Sequence, residues 1–443
     1  MQRSPAILIA HGIYQALWWL ILPFLRHHHR LAQDFDQRCL KNVHLQGAQV
    51  WIQAASAGEA YLAWEILKNI PVGRPFNMLV TTNTSQGMRI LEKMQLALMR
   101  SNPSLSLQRA YFPFDSPAIM QRALKMVHPH LMVLLETELW PALMAGLTKQ
   151  DAQIAVINAR MTRRSLKHYM LWPAFWRRRK PDHILAISNR DRSHFEKVFG
   201  NQGLGTMANI KFDRLEGDDA HREALEKNQP NQLPTGNFLV LGSIRKPEET
   251  QVEQIIQGIL TQQPDVVIGL FPRHMHRLAH WQRKLQQLGI DWVPRSSRQT
   301  LTSGGVVLWD VFGELGTAYL SAKAAFVGGS LAPLGGQNFL EPLVKGVPTV
   351  IGPHWDNFKW VGNQIIQSGI LHQTDTWKGV ADFLLARIMD PEAKQSLKKQ
   401  ARAYIRARQG GAQQACELIM EILEDSRGQG FKDSSDKLFD RRS

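Results

Sequence analysis

Short apolar runs and longer stretches with helical spacing alternate along the chain, and the alternation happens twice. In the first half, runs rich in Val, Ile and Leu occupy 49–54, 78–82, 131–135, 154–158 and 183–187. In the second they occupy 238–242, 266–270, 306–308, 324–327 and 349–351. A short apolar run without polar alternation is how a strand reads when both its faces are covered. Helical segments between such strands predict βαβ units and parallel sheets. The pattern therefore predicts an α/β fold of two Rossmann-like, doubly wound domains. Such sheets bind ligands beyond the carboxyl ends of their strands. Two of them facing across a cleft would hold two ligands on opposite sides.

The stretch 6–25 is apolar except for His11, Gln15 and Pro23, and Arg26, the histidines at 27–29 and Arg30 follow it. Its length is near the ~20 residues of a bilayer span, and the cationic flank would keep the rest of the chain on the cytoplasmic side. A helix lying in the membrane interface fits as well, as does a soluble helix packed on the body. Residues 1–30 are thus read as a hydrophobic, membrane-associating helix, either anchor or interfacial. A first domain is expected over 40–215 and a second over 235–425. The polar stretch 216–234 reads as a linker, and 426–443, poor in hydrophobes, reads as a disordered tail.

Composition adds one constraint. Lys and Arg number 53 against 38 Asp and Glu, a net charge of +15, and the excess peaks over 160–180. That favours anionic partners: nucleic acid, phosphorylated lipid or an anionic membrane face. No nucleic-acid-binding module is recognisable, and glutamates at strand ends would repel phosphate backbones. The 44% apolar and 21% charged content excludes a disordered or fibrous chain. Cys39 and Cys416 form no Cys-x-x-Cys pair, which excludes a zinc ribbon.

Candidate chemistry clusters just after the predicted strands. Ser56-Ala57-Gly58-Glu59 has capping-box spacing, and Glu59 also lies where a general base belongs. A helix start lowers a carboxylate's basicity, so burial or a second acid must offset it. Glu136 and Glu138 precede Trp140-Pro141, which reads as a helix start or a second acidic site. Pro272-Arg273-His274 follows a strand, where Arg can grip a phosphate bidentately. The glycine loops Gly328-Gly329-Ser330 and Gly335-Gly336 would bring backbone N–H groups to a phosphate. Asn338 and Glu341 again have capping-box spacing. Asp34-Phe35-Asp36 mimics a metal-binding acid pair but precedes every predicted strand.

Together these motifs resemble the 3-deoxy-D-manno-octulosonic acid (Kdo) transferases of bacterial lipopolysaccharide synthesis. The resembling residues are 56–59, 81–84, 136–141, Asn158-Ala159-Arg160, Asn209-Ile210-Lys211-Phe212-Asp213, 272–274, Gly313-Glu314-Leu315, 326–330, 335–342 and Gly352-Pro353-His354, in family order. The resemblance implies a GT-B type glycosyltransferase with CMP-Kdo as donor and a lipid A precursor (lipid IVA) as acceptor. It implies an inverting, metal-independent reaction without cofactor, on the cytoplasmic face of the inner membrane and its anionic leaflet. By the same resemblance Glu59 would be the base, with Glu138 and Lys211 assisting the transition state. Pro272, Arg273 and His274, then Gly313, Glu314 and Leu315, then Asn338, Phe339, Leu340 and Glu341, would hold CMP. One departure stands out. Where the family has Ser-Thr-His before a Glu pair, this chain has Ser243-Ile244-Arg245-Lys246-Pro247-Glu248-Glu249. It leaves open a different nucleotide sugar, or a membrane-bound binding protein without catalysis. The chemistry agrees with Kdo transfer from CMP-Kdo, because the Kdo carboxylate and the leaving monophosphate both call for fixed positive charge and N–H donors.

Overall fold

The computed structural model describes residues 5–28, 31–32, 34–41, 43–73, 75–215, 233–234, 236–297, 301, 303–388 and 393–439, apart from the side chains of 5–11, 393 and 426–439. Most of the expected linker therefore lies outside the described residues. The chain divides into two compact units, 1–214 with 408–443, and 215–407.

In the first unit, β1 (Val50–Gln53), β2 (Phe76–Thr82), β3 (Leu105–Tyr111), β4 (Leu131–Leu135), β5 (Gln153–Ala159), β6 (His183–Ala186) and β7 (Leu204–Thr206) form one sheet. Its order is β3-β2-β1-β4-β5-β6-β7, and every neighbouring pair is parallel. The second unit holds β8 (Phe238–Ile244), β9 (Val267–Pro272), β10 (Trp292–Pro294), β11 (Gly305–Leu308), β12 (Ala324–Val327), β13 (Thr349–Ile351) and β14 (His372–Gln373). They are ordered β10-β11-β9-β8-β12-β13-β14, again all parallel. Strand order reverses beside β1, next to β4, and beside β8, next to β12. Crevices for ligands open at such reversals.

Side chains alternate across the first sheet, as a period of two requires. Trp51, Leu79, Met132, Leu134 and Val156 fill one core. Val50, Ile52, Val80, Val133 and Ile157 fill the other. The second core is closed partly by the helix Gly411–Phe439, through Ala412, Ala415, Cys416, Ile419, Ile422 and Leu423. This corrects the expected boundary: the stretch from Arg408 to 425 belongs to the first unit, not the second. The helix also continues to Phe439, where a tail without structure was expected from 426. That segment contains glycines but no proline, so nothing in it removes an N–H from the helix.

The N-terminal helix Pro5–Leu25 packs on the same unit through Tyr14, Trp18, Leu22 and Leu25. The Tyr14 hydroxyl donates to Asp115 Oδ2 at 2.9 Å, and Ala118 N donates to Gln15 Oε1 at 3.1 Å. Asp115 also accepts from Ala142 N (2.9 Å) and Leu143 N (2.8 Å), at the start of the helix Pro141–Lys149. Burial pushes the Asp115 carboxyl up to about 6. Ile13, Leu17, Trp19, Leu20, Ile21 and Phe24 remain exposed, Trp19 and Phe24 by 74% and 77%. Among the described residues no helix is long and apolar enough to cross a membrane. The spanning reading thus finds no support in this helix, whose Tyr14 and Gln15 are engaged with the body instead.

Asp213 fastens the returning chain by accepting from Gly410 N (2.6 Å) and Ala412 N (2.7 Å). Replacing it with alanine should destabilise the closure of the first unit by about 1.5–3 kcal/mol, the worth of a hydrogen bond to a charged group. Hydrogen exchange should show the amides of 411–425 losing protection about ten- to a hundredfold. Unchanged protection there would show that apolar contacts alone hold the helix.

Candidate active site

The strand reversal beside β1 is where the first unit gathers its polar groups. Ser56 caps the helix Ala57–Lys68: Glu59 N donates to Ser56 Oγ at 3.4 Å, and Ser56 N donates to Glu59 Oε2 at 3.1 Å. The capping box aims the Glu59 carboxylate back toward the strand end and leaves the residue 9% exposed. Burial first, then the nearby charges of Glu138 and Glu136, push Glu59 up to about 7, against the amides of Ser56 and Ala55, which pull it down. The helix-cap and chemical readings of Glu59 are therefore compatible.

Glu136 leaves β4 with φ of 58°, and its Oε1 accepts from Lys211 Nζ at 2.6 Å. Lys211 lies on the 3-10 turn Ile210–Phe212, capped by Asn209, whose Oδ1 accepts from Lys211 N at 3.1 Å. Asn158, at the end of β5, steadies that turn by accepting from Ile210 N at 3.0 Å. Its φ of 55° suits asparagine, which tolerates the left-handed region better than most residues. Glu138 is held by Trp140 Nε1 (2.9 Å) and by Gln53, and burial raises its carboxyl above the usual range. Gln53 is fully buried and accepts from Thr81 Oγ1 (2.6 Å), which accepts from Trp51 Nε1 (2.8 Å). The structure thus brings Glu59, Glu138 and the Glu136–Lys211 pair to one strand reversal. Gln53 was missed in the sequence, though a polar residue closing a buried apolar strand was a readable signal.

The second unit treats its strand reversal differently. Glu248 is fully buried, and its carboxylate accepts from Arg245 N (2.9 Å) after β8 and from Gly329 N (2.6 Å) and Ser330 N (3.2 Å) after β12. The amides of Gly329 and Ser330, expected to meet a phosphate, therefore serve this chain's own carboxylate. A Cβ at Gly328 would come within 2.5 Å of Glu248 Oε1. Glu249, the other member of the pair, binds Arg277 through both oxygens, at 2.9 and 2.5 Å.

The remaining expected nucleotide contacts follow the carboxyl ends of β9, β11 and β12. Pro272 is buried at the end of β9, while Arg273 and His274 are exposed. Arg273 N donates to Ile244 O at 2.7 Å, and the His274 ring stacks on His276 with centroids 5.5 Å apart. Gly313 has φ of 88°. Glu314 accepts from Arg295 Nε (2.8 Å) and Trp309 Nε1 (2.9 Å), so its carboxylate is already partnered, and half-buried Leu315 begins a helix. Phe339 and Leu340 are core residues that can reach a ligand only through their backbone. Asn338 accepts from Leu340 N at 3.2 Å, two residues on, and the expected capping box with Glu341 does not form. Of the acid pair near the N-terminus, Asp34 binds Arg38 at 2.7 Å and Asp36 pairs with Lys41 at 3.4 Å.

Comparison with known proteins places this geometry. The family model for 3-deoxy-D-manno-octulosonic-acid transferase (kdotransferase) matches residues 29–214. A 3-deoxy-D-manno-octulosonic acid transferase of Bordetella pertussis is 28% identical over 86% of this chain and 88% of its own. The C-terminal CMP-Kdo binding domain of WaaA from Acinetobacter baumannii is 30% identical, covering 44% of this chain and 97% of that one, with a TM-score of 0.36. UDP-GlcNAc 2-epimerase from Neisseria meningitidis shares the two-sheet fold, with a TM-score of 0.54 at 11% identity over 85% of this chain and 99% of that one. Sequence likeness along most of the chain and a GT-B-like fold agree, and the chain belongs to the 3-deoxy-D-manno-octulosonic acid transferase family of glycosyltransferases.

Proposed function

We propose that this protein transfers Kdo from CMP-Kdo to a phosphorylated lipid A precursor, by inversion, with Glu59 as general base. The observation that carries the reading is the buried Glu59 carboxylate, raised to about 7 beside two further carboxylates. A base poised near the working pH accepts a proton best. The acceptor hydroxyl oxygen bonds to the anomeric carbon as the bond from that carbon to the phosphate oxygen breaks. The bonding pair leaves on CMP, and the hydroxyl proton passes to Glu59. Glu138, fixed by Trp140 and Gln53, and Lys211, fixed by Glu136, flank the reacting centre. Donor binding falls to the second unit, with Arg273 on the phosphate. Arg273 is favoured for this role because the amides of Gly329 and Ser330 in the neighbouring glycine loop are already taken by the buried Glu248.

The exposed apolar residues of the N-terminal helix and the basic stretch 163–180 support attachment to an anionic membrane surface, on the cytoplasmic face of the inner membrane.

Four outcomes are expected. Glu59→Gln should abolish transfer while keeping the fold and CMP affinity. In the unaltered protein the transfer rate should rise with pH as Glu59 loses its proton, falling about tenfold per pH unit below about 7. A flat profile between pH 5 and 8 (a range set by the ~6–7 of tuned glutamates), or a near-normal rate for Glu59→Gln, would leave Glu59 as a cap alone. Arg273→Ala should weaken CMP binding by about 1.5–3 kcal/mol, and titration showing unchanged affinity would remove Arg273 from the donor site. The double change Trp19→Glu with Phe24→Glu should release the folded protein from anionic vesicles in a sedimentation assay. Full retention on the vesicles would place the attachment elsewhere.

A further inference from the structure

A cavity of about 370 Å³ opens between the N-terminal helix and the helices Pro141–Lys149 and Pro173–Arg177. Its walls include Leu17, Ala145, Trp172, Phe175 and Trp176, and nearly all of its lining is apolar. One cationic group, Arg179, joins the lining. Its guanidinium lies over the Phe175 ring at 4.2 Å from the centroid. Arg177, Arg178 and Lys180 stand beside it in the sequence. Both neighbouring arginines are exposed. An apolar well with a cationic edge matches a molecule that is apolar at one end and anionic at the other.

The cavity is also tied to the acidic cluster. Pro141 follows directly on the Glu138–Trp140 loop and lines the cavity itself. On the other side, Tyr169 packs edge-on against Trp176 at 5.0 Å, and it lies close enough to Glu138 to feel its charge. A chain seated among Leu17, Ala145 and Trp176 would therefore extend toward Tyr169 and the carboxylates at the end of β4. Volume bears on the occupant as well. A methylene takes up roughly what one liquid water does, about 30 Å³, so the cavity has room for about a dozen carbons.

We infer that this cavity receives one acyl chain of the phosphorylated lipid acceptor, with Arg179 at its edge facing the anionic head. The inference rests on the reading of the acceptor as a lipid, and two kinds of measurement keep the two apart.

The first is binding without catalysis: titration of the full-length protein with alkyl phosphates from hexyl to tetradecyl, each below its micelle concentration, and with inorganic phosphate. The dissociation constant should fall about fourfold per methylene, then level off near the length that fills the cavity. Ala145→Phe, which fills the well, should move that plateau to a shorter chain. Leu17→Asp, at a half-exposed position that tolerates charge, should weaken binding of every alkyl phosphate, and it decides the matter if Ala145→Phe does not fold. Inorganic phosphate should distinguish none of the proteins. A chain-length series identical in the folded variants and the unaltered protein would overturn the inference.

The second is transfer. Both variants should raise KM for the acylated acceptor about tenfold, the loss of one to two buried methylenes, with kcat unchanged. They should leave transfer to a fully deacylated, water-soluble acceptor as it was. If the variants lowered vesicle attachment and left the acceptor KM untouched, the cavity would hold a membrane lipid rather than the substrate, and the inference would fall. If the unaltered protein transferred to no acceptor, the proposed function would fail, while the alkyl phosphate series would still decide the cavity.

Discussion

In a sheet whose strands all run the same way, every strand ends on the same edge, and every connection must cross a face to return. Both units obey this constraint throughout. It is the reason residues far apart in sequence meet. Glu59 follows β1, Glu136 and Glu138 follow β4, Asn158 ends β5, and Lys211 follows β7. Helices begin at the same edge, so their unpaired N–H groups also point there. The first unit uses this to hold the Glu59 carboxylate at its helix start, while in the second the loop amides of Gly329 and Ser330 after β12 bind Glu248.

The acids at these edges show how burial and hydrogen bonding compete. Glu59 receives the amide of Ser56, which favours its charged form, yet burial and two neighbouring carboxylates outweigh it. Asp115 accepts two helix amides and a tyrosine hydroxyl and is still pushed up to about 6, because its burial is deeper. Lys211 relieves Glu136 directly. Charge is thus unevenly satisfied within one crevice: of its three carboxylates, Glu59 is pushed up by burial and by its neighbours while Glu136 holds a cation.

Much of this was legible in the sequence, and the gaps have physical causes. The ten apolar runs fall on β1, β2, β4, β5, β6, β8, β9, β11, β12 and β13. The four strands without a clear run, β3, β7, β10 and β14, are the four sheet edges. Their residues are partly exposed and need not be apolar, so they leave a weak signal. The Ser56–Glu59 cap was readable because both partners are local. Lys211 came only through the family resemblance, since no periodicity relates 209–213 to 136. The inward turn of the Gly329 and Ser330 amides was not readable, because their partner Glu248 lies some eighty positions earlier. Nor could the spacing of Ala412, Ala415, Cys416 and Ile419 say which of two sheets that helix covers.

The return of the chain at Arg408 also bears on the order of events during synthesis. The second unit is one continuous segment and can close its sheet as soon as it has emerged. The first unit cannot, because Ile419, Ile422 and Leu423 complete a core begun at Val50 and Ile52. At about 5–20 residues per second, translating 215–407 takes roughly 10 to 40 s, during which one face of the first sheet lacks its last cover. A chain that stops short of residue 411 keeps that face open, with Ile52, Ala63 and Ile157 beneath it, and so presents to other nascent chains the kind of apolar surface on which aggregation begins.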